Sequence, residues 1–282
     1  MRVAALSAQA QVEMVAPGPL KGFCMTLVFF KWYVFFIGLC VGSFLNVCIH
    51  RLPGGGSIVR PPSACPSCGA SIRWYDNIPL VSYALLRGRC RECQQTISPR
   101  YPLVELLTGV LAWAVYQRFG FQWPALIYFI LVAALLVITF IDLDHRIIPD
   151  VISLPGIPLG FAASFLLPQT RWQDSLLGIL VGGGTLLAIA WGYQLLTGKD
   201  GMGGGDIKLL AMIGAFLGWK GVLFTIMVSS FTGTIVGITV MLRMGKNMKL
   251  AVPFGPFLAI GAIVYLFFGP QVIDWYLHRL LI

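Results

Sequence analysis

Two short polar segments of this chain each centre on aspartate: IDLDHRIIPD at residues 141–150 and GMGGGDIKLL at residues 201–210, in a sequence with only 11 Asp and Glu. Both adjoin long apolar runs, where an ionisable group must be paired, hydrated or functional. Two carboxylates can divide peptide hydrolysis between them, one activating a water while the other protonates the carbonyl or the leaving amine. Asp142 and Asp206 are the expected catalytic pair. Asp142 follows the end of an apolar helix and Asp206 begins one, so helix polarity sets the two apart and predicts that they share one proton unequally. The glycines around Asp206, Gly203 and Gly205 among them, put no side chain in the way of a substrate backbone. The ordinary role of an acid at a helix end is capping or solvation, and Asp144, Asp150 and Asp200 are read that way, with Asp144 supporting the pair; His145 reads as a loop histidine. A glycine-rich loop before a helix can also hold phosphate, but this one lacks the lysine and hydroxyl that a nucleotide loop needs.

A second constellation is sulfur. CPSC at 65–68 is answered by CREC at 90–93, and two such knuckles present Cys65, Cys68, Cys90 and Cys93 as a four-thiolate zinc site. Two disulfides are the alternative, disfavoured in a reducing compartment. Four protein ligands leave no open position for water, so a zinc here is structural. Cys24, Cys40 and Cys48 lie on or beside the first apolar run and read as packing residues.

The elements that must position these groups are membrane helices. With 57% hydrophobic and 11% charged residues and a mean hydropathy of +0.82, the chain is too apolar for a soluble domain. Apolar runs at 25–45, 103–118, 125–141, 151–167, 175–196, 207–217, 221–242 and 252–268 predict an all-α polytopic membrane protein with about eight transmembrane helices, the sixth too short to span alone. Residues 46–102, rich in Pro, Gly, Arg and Ser, form a zinc-ribbon-like insert. Residues 103–268 form the core, 269–282 a tail, and 1–24 an extended start or disordered tail ahead of Met25. Arg51, Arg60, Arg73, Arg87, Arg89, Arg91 and Arg100 place the insert in the cytoplasm, as do Arg243, Lys246 and Lys249 for their loop, against Arg118, Arg171 and Lys220 on the other side. Both aspartate segments then face the cytoplasm. The net charge of +9 is a topology signal, and no motif supports nucleic-acid binding.

These motifs resemble a family. IDLDHRIIPD is similar to the first aspartate motif of bacterial type IV prepilin peptidases, and GMGGGDIKL to their GxGD motif, in which Lys208 follows Asp206. GSFLNVCIHRLP at 42–53, the CxxC pairs, IPLVSYALLRGRC at 78–90, ISPRYPLVELLTG at 97–109 and PFGPFLAIGA at 253–262 resemble further family segments. The resemblance implies an inner-membrane, multi-pass aspartic protease that removes the basic leader of prepilins and type II secretion pseudopilins on the cytoplasmic side. It further implies methylation of the new N-terminal residue with S-adenosylmethionine, a second activity that no nucleotide motif in the chain announces; Arg87, Gly88 and Asn46 of the GSFLN stretch mark the place it would occupy. Asp76, Glu92, Asp150 or Asp200 could meet the basic leader. The competing readings are a presenilin-like protease cutting within a transmembrane helix, a transporter with functional intramembrane carboxylates, and a non-catalytic zinc-stabilised scaffold.

Overall fold

The structure, a computed structural model, describes residues 20–198, 203–244 and 253–280. Among them it is all-helical: α1 (Leu20–Arg51), α2 (Val81–Leu85), α3 (Arg100–Phe119), α4 (Trp123–His145), α5 (Asp150–Ala163), α6 (Trp172–Thr197), α7 (Gly204–Met244) and α8 (Gly255–Leu280), with short 3-10 turns at Leu52–Gly54 and Trp74–Asn77. No strand forms among the described residues; two isolated antiparallel bridges, Ala64 with Ser71 and Arg89 with Thr96, close the two cysteine knuckles. Five helical stretches are long and apolar enough to cross a membrane, in α1, α4, α6, α7 and α8, while α5 is a shorter apolar helix.

Several predicted boundaries move. The first helix begins by Leu20 and runs through the predicted start of the insert to Arg51, where Pro53 in the following turn ends it. Residues 1–19 of the predicted N-terminal segment lie outside the described residues. The two predicted runs at 207–217 and 221–242 are the two helical halves of α7, which meet at Gly218, whose φ of 74° and ψ of 177° are non-helical; glycine alone adopts that conformation without strain. The predicted tail after 268 continues α8 to Leu280, since Pro270 removes one helical hydrogen bond without ending the helix.

α4 is the centre. Its Leu131, Leu135 and Ile138 join one core with α6, α7 and α8, and its Leu136, Val137 and Ile141 join another with α1 and α3. Burial on two sides explains why α4 shows no polar stripe. Around it, small residues let backbones touch, which drives helix association where lipid removes the hydrophobic difference between inside and out. Gly38 and Gly42 of α1 lie against Gly109, Thr108 and Glu105 of α3, and Gly178 and Gly182 of α6 lie against Gly214 and Leu210 of α7. The break at Gly218 frees carbonyls that lipid could not satisfy. Ser175 Oγ donates to the Ala215 carbonyl at 2.6 Å and Thr170 Oγ1 to that of Phe216 at 3.1 Å.

Candidate active site

α4 does not end at Ile141, as the sequence suggests, but continues for one more turn, closed by Arg146 in the left-handed region with φ of 56°. At 100° per residue, Asp142 and Asp144 then point to opposite sides of the helix. Asp142 is buried, at 5% exposure. Its Oδ2 accepts a hydrogen bond from the backbone N–H of Gly255 at 2.9 Å, and Gly255 is the first residue of α8. Asp206 sits in the first turn of α7, close enough for the charge of Asp142 to act on it. Asp142 thus stands in the last turn of α4 and Asp206 in the first turn of α7, the opposite helix ends that the sequence suggests, and the start of α8 adds to Asp142 a backbone donor that the sequence does not announce.

Glycines set the clearances. A Cβ at Gly255 would lie 2.7 Å from Asp142 Oδ2 and 3.4 Å from Ile148 Cδ1, while one at Gly205 would lie 2.9 Å from Ile148 Cβ. Ile148, in the loop after α4, thus wedges against the starts of both α7 and α8. Among the described residues, a Cβ at Gly203 would meet only Asp206 Oδ2, at 3.9 Å, and one at Gly204 would meet nothing within 4 Å. Nothing else among the described residues lies over those two glycines beside Asp206. Gly201 and Asp200 lie outside the described residues.

The flanking charges are occupied. Lys208 Nζ donates to both Asp150 carboxylate oxygens, at 2.8 and 2.7 Å, tying α7 to the first residue of α5. Arg100, at the start of α3, forms an ion pair with Asp144, donates to the Phe140 carbonyl at 2.7 Å and lies over the Phe140 ring. Asp144 is therefore turned toward α3 and away from Asp142. Asp76 takes two hydrogen bonds from Arg91, at 2.6 and 2.9 Å, and these hold its carboxyl below the usual value; Glu92 lies 3.9 Å from Arg73. Three of the four acids considered for leader docking thus already have basic partners.

In the insert, the sulfurs of Cys65, Cys68, Cys90 and Cys93 lie within 4.8 Å of one another, and those of Cys65 and Cys93 are 3.8 Å apart. A tetrahedral zinc with sulfur at about 2.3 Å puts its ligands about 3.8 Å from each other, so the four thiols fit one. The knuckles repeat each other: Gly69 donates to the Cys65 carbonyl and Gln94 to that of Cys90, while Cys65 and Cys90 donate to Ala70 and Gln95. Gly69 and Gln94 both take positive φ, 72° and 57°, the turn that aims two sulfurs inward. Backbone N–H groups of Cys68 and Ser67 pull the Cys65 thiol down to about 6, favouring the thiolate that a metal binds. Cys40 and Cys48 are free thiols on α1.

The three residues marked for a second activity part company. Asn46 lines a cavity of about 460 Å³ between α1, α3 and the insert and donates to the Tyr101 carbonyl at 3.1 Å. Gly88 is buried with φ of 68°, where a Cβ would lie 2.9 Å from Tyr83 Oη, and Arg87 is exposed.

Compared with known proteins, residues 36–119 match the Bacterial Peptidase A24 N-terminal domain and residues 129–238 the Type IV leader peptidase family. A prepilin leader peptidase/N-methyltransferase of Stutzerimonas stutzeri is 41% identical over 95% of this chain and 98% of its own length. The chain belongs to the type IV leader peptidase family. Relatives of the same name from Pseudomonas aeruginosa, 41% identical over 86% of this chain and 91% of theirs, and from Myxococcus xanthus, 44% identical over 77% and 65%, are similar to it as well. No solved structure matches the chain. In this leader peptidase, the sequence assigns no part to Gly255, Ile148 or Glu105, and counts Arg100 only among the arginines that orient the insert. Gly255 and Arg100 lie inside segments that carried the family resemblance, PFGPF and ISPRYPLVE, but only folding shows what they touch.

Proposed function

We propose that this chain is an aspartic endopeptidase that removes the basic leader of type IV prepilins or type II pseudopilins and then methylates the new N-terminal residue, using S-adenosylmethionine. The observation that carries it is the convergence of Asp142 and Asp206 at the starts of α8 and α7, where Ile148 lies against both Gly205 and Gly255. One carboxylate takes a proton from a water as it attacks the scissile carbonyl, and the other donates to the departing amine. The Gly255 N–H fixes the orientation of Asp142, and Ile148 keeps the loop beside both carboxylates. The names of the relatives support leader cleavage with methylation over cleavage within a transmembrane helix or transport.

The chain crosses the bacterial inner membrane eight times in this reading, with α1, α3, α4, α5, α6, the two halves of α7 and α8 as the crossings. The insert and both aspartates face the cytoplasm, where a prepilin held in the bilayer presents its leader junction. Cys65, Cys68, Cys90 and Cys93 would hold zinc, which supplies a fold for the insert and no catalytic water. Gly203, Gly205, Lys208 and Asp144 support the two catalytic loops, the last two through their ion pairs. Incubating membranes holding the wild type, Asp142→Asn or Asp206→Asn with a prepilin, with and without S-adenosylmethionine, tests the reading. Cleavage by the wild type alone is expected; cleavage by either variant overturns the mechanism.

A further inference from the structure

The 460 Å³ cavity is bounded by the C-terminal end of α1, the start of α3 and the insert, and its walls include Ser43, Asn46, His50, Asp76, Tyr83 and Glu105. That volume suits a nucleoside-sized ligand. Its acids are not equivalent. Asp76 is paired with Arg91 and Glu92 faces Arg73, whereas Glu105, only 9% exposed, has no ion-pair partner among the described residues. Its carboxylate accepts from the Leu80 N–H at 2.9 Å, which holds it in a fixed direction. A buried carboxylate without a cation either takes up a proton or is paired by a positively charged ligand, and a cationic ligand in this cavity would keep it ionised.

A second cleft of about 210 Å³ shares Asn46, His50, Ser98 and Tyr101 with the cavity and reaches Asp144 and His145. Those two residues belong to the last turn of α4, the turn that carries Asp142. The cavity and the cleft thus adjoin along one side of α1, and the cleft ends at the last turn of α4, on the face that carries Asp144.

We propose that the cavity binds the sulfonium methyl donor, with Glu105 facing its positive charge, and that the cleft admits the amine released by cleavage. The inference rests on the methyltransferase half of the proposed function. In the transfer, the new N-terminal ammonium first gives a proton to solvent past the exposed His50. The amine lone pair then forms a bond to the methyl carbon as the carbon–sulfur bond breaks, its electron pair going to sulfur. The products are a methylated ammonium and a neutral thioether, so the charge that Glu105 faces disappears on transfer and the spent donor is released.

Calorimetric titration of the full-length protein in lipid nanodiscs with S-adenosylmethionine and with its neutral thioether product, S-adenosylhomocysteine, tests this. The wild type is expected to bind the sulfonium form more tightly. Glu105→Gln, which keeps the side chain's size, should weaken sulfonium binding at least tenfold and erase the preference, and should lower the methylated fraction of cleaved prepilin. Val47→Phe, which fills the cavity from α1, should weaken both ligands. A methylating wild type whose Glu105→Gln and Val47→Phe variants bind both ligands unchanged overturns the inference alone. A wild type that cleaves but neither binds donor nor methylates overturns the methyltransferase reading along with it.

Discussion

Gly255 has room for a hydrogen and nothing larger. A methyl there would press on Asp142 Oδ2 at 2.7 Å, the same oxygen that its own N–H orients. Gly255→Ala should therefore push the carboxylate out of line and lower kcat for leader cleavage by about 10- to 100-fold, the scale expected of a misplacement near 1 Å, with a smaller change in KM. Gly233→Ala, on α7, is the control: its Cβ would find Phe257 at an ordinary 3.7 Å and should leave cleavage unchanged. Equal loss in both variants would show that helix packing, and not the carboxylate, is at stake. The aspartates themselves were legible in the sequence because charge is scarce in an apolar chain and because each stands beside a recognisable motif. Gly255 was not, since its partner lies 113 residues away and nothing local marks the contact. Glu105 was hidden for a related reason: on α3 it reads as one more acid near a helix start, and only the fold shows that its neighbours carry no countercharge.

Whole elements obey the same logic of close approach. α6 meets the first half of α7 through Gly178 against Gly214, where a Cβ on either would run into the other's carbonyl. Gly178→Ala should force the helices apart and cost about 1–3 kcal/mol, the usual penalty of overpacking, read as a fall in the thermal midpoint of the detergent-solubilised protein. Gly184→Ala on the same helix meets nothing within 4 Å and should hold or raise that midpoint, since alanine restricts the unfolded chain. Because Asp206 rides on the first half of α7, the Gly178 variant should lose cleavage as well as stability. Hydropathy located the helices well, and its two runs at 207–217 and 221–242 fall on the two halves of α7 that meet at the non-helical Gly218. At the break between the halves the freed carbonyls are capped by Ser175 of α6 and by Thr170 in the segment before it. Pairings between elements of this kind leave no periodic trace in a single sequence.

For the whole molecule the decisive question is which ends of the helices lie together. Arg100 joins the end of the insert to the last turn of α4 through Asp144 and the Phe140 carbonyl, and Lys208 joins the start of α7 to the start of α5 through Asp150. Ile148 packs toward the starts of α7 and α8. These contacts put the insert, the α4–α5 loop and the beginnings of α7 and α8 at one end of the bundle, which then also collects most of the arginines of the insert. The turn after α3 and the segment between α5 and α6 must lie at the other end, because α3 and α4 are antiparallel neighbours joined by a short link, as are α5 and α6. An excess of Lys and Arg favours the cytoplasmic side, which supports the proposed placement of the end bearing Asp142 and Asp206 in the cytoplasm. Alkaline phosphatase, active only after export, reads this out when fused at successive truncation points. Fusions after Gly69 and Ile148 should be inactive, and fusions after Phe121 and Pro168 active. The opposite pattern would turn the aspartates away from the compartment in which a prepilin leader resides, and would overturn the leader-cleavage geometry even if the pair of carboxylates proved catalytic.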